Sequence, residues 1–124
     1  MSFADWMILA AALLPYLAVA SARGPTSGYD NTAPRRWTAG LQGWRQRLHW
    51  AHQNHLEAFP PFAAGVLLAE MRHAPQATIN GLAGAFLLLR LVYTGLYLTG
   101  PAALRTLIWF LGLLSVIGLF LAAA

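Results

Sequence analysis

The feature that most constrains this chain is the stretch Phe3–Ala22, twenty residues in which Asp5 is the only charge. About 20 apolar residues at 1.5 Å rise per residue cross a hydrocarbon core of about 30 Å. A cleaved signal peptide is the rival reading, because Ala18-Val19-Ala20 has the small residues of a cleavage site. Such a signal needs a positively charged start, and Met1–Asp5 supplies none, so the stretch reads as a membrane span. Three further apolar stretches follow: Leu48–Met71, Ala77–Leu98, and Ala102 to about residue 122. Short links join the last three: Arg72-His73-Ala74-Pro75 and Thr99-Gly100-Pro101, where proline favours a helix start. The longer connection, about residues 23–47, is rich in Gly, Pro, Ser, Asn and Asp and reads as a loop.

Composition agrees with membrane insertion. The chain of 124 residues is 58% hydrophobic and 10% charged, whereas soluble domains are about 45–50% apolar and about 25% charged. With no cysteine, a disulfide scaffold is excluded. The expected fold is all-α: one integral, multi-pass membrane domain over residues 1–124, built as an antiparallel four-helix bundle. Eight basic residues against four acidic ones raise nucleic-acid binding as a question. All eight are arginines, and Arg23, Arg35, Arg36, Arg45 and Arg47 crowd the first loop and its margins, with Arg105 beside the third link. The positive-inside rule then puts the first and third connections in the cytoplasm and both termini outside. Most of the charge is a topology signal that meets lipid headgroups, and no nucleic-acid partner is expected.

The polar residues inside the spans are costly. An ionisable group at the centre of a span costs on the order of 2.5–3.5 kcal/mol on insertion scales and normally faces a partner in the bundle. Arg47, Asn54 and Glu57 are spaced by seven and three on the second span, and Arg90, Tyr93 and Tyr97 by three and four on the third; each set marks one helix face. Arg105 lies in the first turn of the fourth. All converge on the cytoplasmic half, where arginines, an amide, phenols and one carboxylate suit a small zwitterionic, mostly anionic ligand. The alternative is that Glu57 simply pairs with Arg90 or Arg105 to hold helices together. His49, His52 and His55 look like a metal string, but steps of three drift about 60° each around a helix, and no metal is expected. Trp37, Trp44, Trp50 and Trp109 read as an interfacial belt, and Gly84, Gly95, Gly112 and Gly118 as points of close helix contact.

The stretch Ala51-His52-Gln53-Asn54-His55-Leu56-Glu57-Ala58-Phe59-Pro60-Pro61-Phe62 resembles the hallmark of the MAPEG family, the membrane-associated proteins of eicosanoid and glutathione metabolism. That hallmark runs R-A-H-x-N-x-x-E followed by P-F. The block Arg90–Tyr97, then Pro101 and Leu104-Arg105-Thr106, is similar to the family's third and fourth spans, and Tyr29–Arg35 to the loop of bacterial members. The resemblance implies a homotrimer in a bacterial inner membrane, with glutathione held between subunits near the cytoplasmic side as the thiol co-substrate. It implies that Asn54 and Glu57 hold the glutathione backbone, that Arg47, Tyr93 and Tyr97 complete the pocket beside Arg90, and that Arg105 and Thr106 face the thiol. Arginine and a hydroxyl donor favour thiolate over thiol, and the thiolate is the nucleophile. The implied activity is transferase or peroxidase chemistry on hydrophobic electrophiles or lipid hydroperoxides. Trp50 and Gln53 stand where the family carries cations, Tyr93 where some members have histidine, and Thr106 where serine is usual, which predicts weaker capture of carboxylates or a different thiol. Two other readings of the same residues are a structural or lipid-binding membrane protein of this fold and a small proton-coupled transporter built on Glu57.

Overall fold

The computed structural model describes residues 1–124 and is all-helical. Its helices are α1 (Phe3–Ala22), α2 (Pro34–Ala39), α3 (Gly43–Met71), α4 (Gln76–Thr99) and α5 (Ala102–Ala122). Three of them, α1, α4 and α5, are long and apolar enough to cross a membrane. The 29-residue α3 is long enough but is not among them, because Arg45, Arg47, His49, His52, Asn54, His55 and Glu57 crowd its first half. At 1.5 Å per residue it is about 43 Å long, well beyond a hydrocarbon core of about 30 Å, so its polar start has room outside.

Two local features depart from the sequence expectation. The segment expected as a loop contains α2, which starts on Pro34, a residue whose fixed φ suits the first helical turn. Before it, the Asp30 carboxylate accepts from the Thr32 backbone N–H at 2.9 Å and hydroxyl at 2.6 Å, which holds its pKa below the usual carboxylate value. Helix α3 begins at Gly43, five residues before Leu48, and the chain turns into it at a left-handed φ of 64°.

Contacts along the helices fix their directions. Helices α1 and α3 run antiparallel: Ser2 Oγ donates to Glu70 at 3.0 Å, His52 Nδ1 donates to the Pro15 carbonyl at 2.7 Å, and Ala22 packs with Leu48. Helices α3 and α4 are likewise antiparallel, from the Arg47–Leu98 contact through Asn54–Arg90 to the stacked rings of Phe62 and Phe86, 4.0 Å apart. The core lies toward the terminal end, where Phe62, Val66, Ile79, Ala83 and Leu119 are fully buried. A capping box of Ser2 and Asp5 starts α1 there, and Gln76 bridges Glu70 and Asn80 beside it.

Of the four glycines expected at close contacts, Gly84 meets Phe3 and Gly118 meets Leu82, each at 3.2 Å from a built Cβ. Gly95 and Gly112 instead face open space. The tightest helix crossing is at Gly65, where a Cβ would stand 3.1 Å from the Leu119 Cβ and 3.3 Å from the Phe120 ring. Gly65→Val should therefore lower stability by about 1–3 kcal/mol through overpacking. Gly95→Ala should leave stability equal or raise it by up to about 1 kcal/mol through helix propensity. Thermal unfolding of the detergent-solubilised protein, followed by circular dichroism, checks both.

Candidate functional site

The site begins with one buried cation. Arg90, only 3% exposed, sits between α3 and α4. Its Nε donates to His55 Nδ1 at 3.1 Å, and its Nη2 lies 2.9 Å from the same nitrogen and donates to Asn54 Oδ1 at 2.6 Å. A guanidinium has no acceptor, so His55 Nδ1 must be bare and Nε2 must carry the ring proton. That N–H donates to Thr94 Oγ1 at 2.8 Å, and the Thr94 hydroxyl donates to the Arg90 carbonyl at 3.0 Å. The ring of interactions closes on itself from Arg90 Nε through His55 and Thr94 to the Arg90 carbonyl. Because Asn54 Oδ1 faces Arg90, its amide NH₂ points the other way as a donor.

Aromatic rings extend the cluster to α5. The Arg90 guanidinium lies over the Tyr93 ring at 4.3 Å, Tyr93 meets Tyr97 edge to face at 5.5 Å, and the Arg105 guanidinium lies over Tyr97 at 4.3 Å. Trp50 approaches Tyr97 from α3 at 6.3 Å. The two-residue link Gly100–Pro101 brings the first turn of α5 against the last turn of α4, which is why Arg105 reaches Tyr97. Cation–π pairs of this kind are worth about 0.5–2 kcal/mol and orient the guanidinium as well as hold it.

Three adjoining cavities share Asn54. One of about 390 Å³ is lined also by Trp50, Gln53, Glu57, Tyr93 and Tyr97. A second, about 230 Å³, adds Arg105, Thr106 and Trp109 to Asn54 and the two tyrosines. The third, about 280 Å³, runs from Asn54, Glu57 and Arg90 to Pro61, Phe86 and Val116. The donors around the first two suit carboxylates and a sulfur anion, and the exposed Glu57 carboxylate suits an ammonium.

The structure thus brings together Asn54, Glu57, Arg90, Tyr93, Tyr97, Arg105 and Thr106 of the residues singled out from sequence. Arg47 is apart: its Nη1 donates to the Leu98 carbonyl at 3.1 Å, and it lines none of the three cavities. The Thr106 hydroxyl donates to the Ala102 carbonyl at 3.1 Å, so it must rotate to donate into the cavity. Arg90 is bonded to His55 and Asn54, not to Glu57, contrary to the simple helix-pairing alternative. Sequence reasoning missed His55, hidden in an apparent metal string, and assigned Trp109 only to an interfacial belt. No His, Cys, Asp and Glu cluster that could hold a metal is formed.

Removing one member of a satisfied buried network leaves the others unpaired, at about 1–3 kcal/mol per group and more for a charge. His55→Leu should therefore lower the unfolding free energy by about 2–3 kcal/mol, while His55→Gln, which keeps an acceptor for Arg90, should recover part of that loss. Thermal unfolding of the solubilised variants measures the difference.

Comparison with curated proteins and with solved structures gives no match. The profile of the MAPEG family matches residues 3–124, essentially the whole chain. Together with three helices long and apolar enough to cross a bilayer, this match makes the chain an integral membrane protein that belongs to the MAPEG family.

Proposed function

We propose that this MAPEG protein is a membrane-bound transferase or peroxidase that uses glutathione as its thiol co-substrate against hydrophobic electrophiles or lipid hydroperoxides. The observation that carries the reading is the convergence of Asn54, Tyr93, Tyr97, Arg105 and Thr106 on one cavity, with Glu57 in the adjoining one. The donor set fits the tripeptide. The Asn54 amide NH₂ and the tyrosine hydroxyls donate to its carboxylates and carbonyls, and Glu57 accepts from its ammonium. Arg105 is a fixed positive charge that favours loss of the thiol proton to water, and a rotated Thr106 hydroxyl donates to the sulfur. When bound, glutathione supplies a sulfur nucleophile. Arg90, fixed by His55 and Asn54, holds the Tyr93 ring in place against its guanidinium.

The assembly we propose is a homotrimer of four-span subunits in a bacterial inner membrane, with the 23–47 connection in the cytoplasm and both termini outside. Crossing by α3 is supported by its length and by its burial among α1, α4 and α5. With Trp50 and Gln53 in place of cations and Arg47 held by the Leu98 carbonyl, capture of glutathione is expected in the millimolar range. A second reading, a member of this fold without thiol chemistry, draws on the same commitment of Arg47 and Arg90 to internal partners.

Glutathione at millimolar concentration should raise the melting temperature of the solubilised protein, and conjugation to a generic electrophile should be detectable. Arg105→Ala should cut kcat/KM by about 10²–10³-fold, the cost of removing one electrostatic stabiliser, and abolish the ultraviolet thiolate absorbance of the bound thiol. A protein that neither shifts nor conjugates has no thiol function. If Asn54→Ala lowers stability without touching any ligand response, the second reading replaces the first.

A further inference from the structure

The arginine-rich end of the molecule holds a cavity that the proposed chemistry does not use. It measures about 340 Å³ and is lined by Arg23 at the end of α1, by Pro34, Arg35 and Thr38 of α2, and by His49 and Gln53 of α3. Apart from the Pro34 ring, every lining side chain can donate a hydrogen bond, and none is acidic. His49 and Gln53 share one face of α3, while Trp50, Asn54 and Glu57 lie about a quarter turn away. The cavity therefore opens on the α1–α2 side of α3, and only Gln53 also reaches one of the cavities on the other side.

Contacts within the 23–47 connection hold this cavity in shape. The Arg23 guanidinium lies over the Tyr29 ring at 4.5 Å, and Tyr29 meets Trp37 of α2 edge to face at 5.0 Å. Stacking on a ring face fixes the plane of the guanidinium and leaves its N–H groups free along the edges. Arg45 ties the connection to α3 by donating to Thr26 Oγ1 at 3.1 Å, and the Asp30–Thr32 turn leads the chain into Pro34. Arg45, Arg47 and Arg90 each donate to an acceptor within the protein, whereas Arg23 and Arg35 keep their donors for the cavity. Asp30, the sole carboxylate between residues 23 and 47, is engaged by Thr32 and does not line it. Two positive charges on one cavity with no acid beside them attract an anion from outside.

The height of the cavity says what carries that anion. Helix α1 has 20 residues and is about 30 Å long, the thickness of a hydrocarbon core, so Arg23 at its end stands where lipid phosphates lie. Ala22 packs with Leu48, which sets His49 level with Arg23. A forked guanidinium matches the oxygens of a phosphate, and the Thr38 hydroxyl and Gln53 amide are neutral donors for the remaining ones. We propose that this cavity binds a phosphate oxyanion, carried by the headgroup of an anionic phospholipid, and thereby joins α1, α2 and α3 at the membrane surface. The proposal does not depend on the thiol reading.

Titration of the detergent-solubilised protein with dilauroylphosphatidylglycerol, read by native mass spectrometry in about 0.3 M ammonium acetate to screen diffuse attraction, tests it. Binding should saturate at one lipid per subunit and raise the melting temperature. Phosphatidylcholine with the same chains should bind at least about tenfold more weakly, because its choline meets two arginines. Arg35→Gln should weaken phosphatidylglycerol binding by about tenfold or more, and Thr38→Val, which changes no charge, by about threefold to tenfold. Arg36→Gln removes the same charge from the same helix but lies outside the cavity, and should bind as the unaltered protein does. Glycerol 3-phosphate that saturates the protein as tightly as the lipid retains the oxyanion site and makes its ligand a soluble phosphate. Binding that never saturates, or that Arg36→Gln weakens as much as Arg35→Gln, reduces the cavity to diffuse surface charge and overturns the proposal. Displacement of the lipid by S-methylglutathione also overturns it, because the cavity then belongs to the thiol site.

Discussion

Arg90 is the residue on which the rest of the arrangement depends. An arginine within an apolar helix is costly wherever its donors lack partners, and here it is almost wholly buried. The partners come from two consecutive residues of α3, Asn54 and His55. Consecutive positions point about 100° apart around a helix, so both reach Arg90 only if α4 lies between their two directions. That condition sets the rotation of α3 and the register of α4 together. Thr94, one turn along α4, then accepts from His55 Nε2–H and donates its hydroxyl to the Arg90 carbonyl. A slip of one residue on α4 would swing the guanidinium away and leave a cation and an imidazole unpaired in apolar surroundings.

The site inherits its geometry from that lock. With Arg90 fixed, Tyr93 lies under its guanidinium, Tyr97 stands against Tyr93, and Arg105 covers Tyr97. Each contact carries position one turn further toward the α4–α5 link, so a network in the α3–α4 seam ends by aiming a side chain of α5. The other arginines do different work. Arg23 and Arg35 line a separate polar cavity with Thr38 and His49 at the loop end, and Arg47 closes the α4 terminus through the Leu98 carbonyl.

Much of this was legible in the sequence because helical periodicity is a strong rule. The spacing of Arg90, Tyr93 and Tyr97 places them on one face, and they do touch in series. Asn54 and Glu57 were legible for the same reason and line the same cavities. Arg47 shares that spacing and still falls outside, because a long side chain near a helix end can reach an unpaired terminal carbonyl that periodicity does not register. His55 was illegible for a deeper reason. Its role exists only through Arg90, thirty-five residues away, and three histidines spaced by three suggest one function where His52 and His55 have two, one bonding Pro15 and the other Arg90. Glycine was ambiguous in sign: Gly65 and Gly118 admit a neighbour, while Gly112 leaves space, and nothing in the local sequence separates the cases.

The choice of neutral partners for Arg90 has an electrostatic consequence. A carboxylate in the place of His55 or Asn54 would satisfy the guanidinium and cancel its charge. An imidazole that accepts through Nδ1 and a carboxamide satisfy it with dipoles and leave the charge uncompensated. In surroundings of low dielectric such a charge acts over longer distances than it would in water, and Arg90 itself lines the cavity that runs from Asn54 to Val116. Its Nε and Nη2 are engaged by neutral partners, which do not cancel its field. Arg105 adds a second positive charge across the two tyrosines. Glu57 is the acidic group of two of the three cavities, and that carboxylate is exposed, not bonded to the buried cation. The same hydrogen bonds that lock α3 to α4 therefore hold a standing positive potential over the shared cavities, which favours an anion there before any side chain touches it.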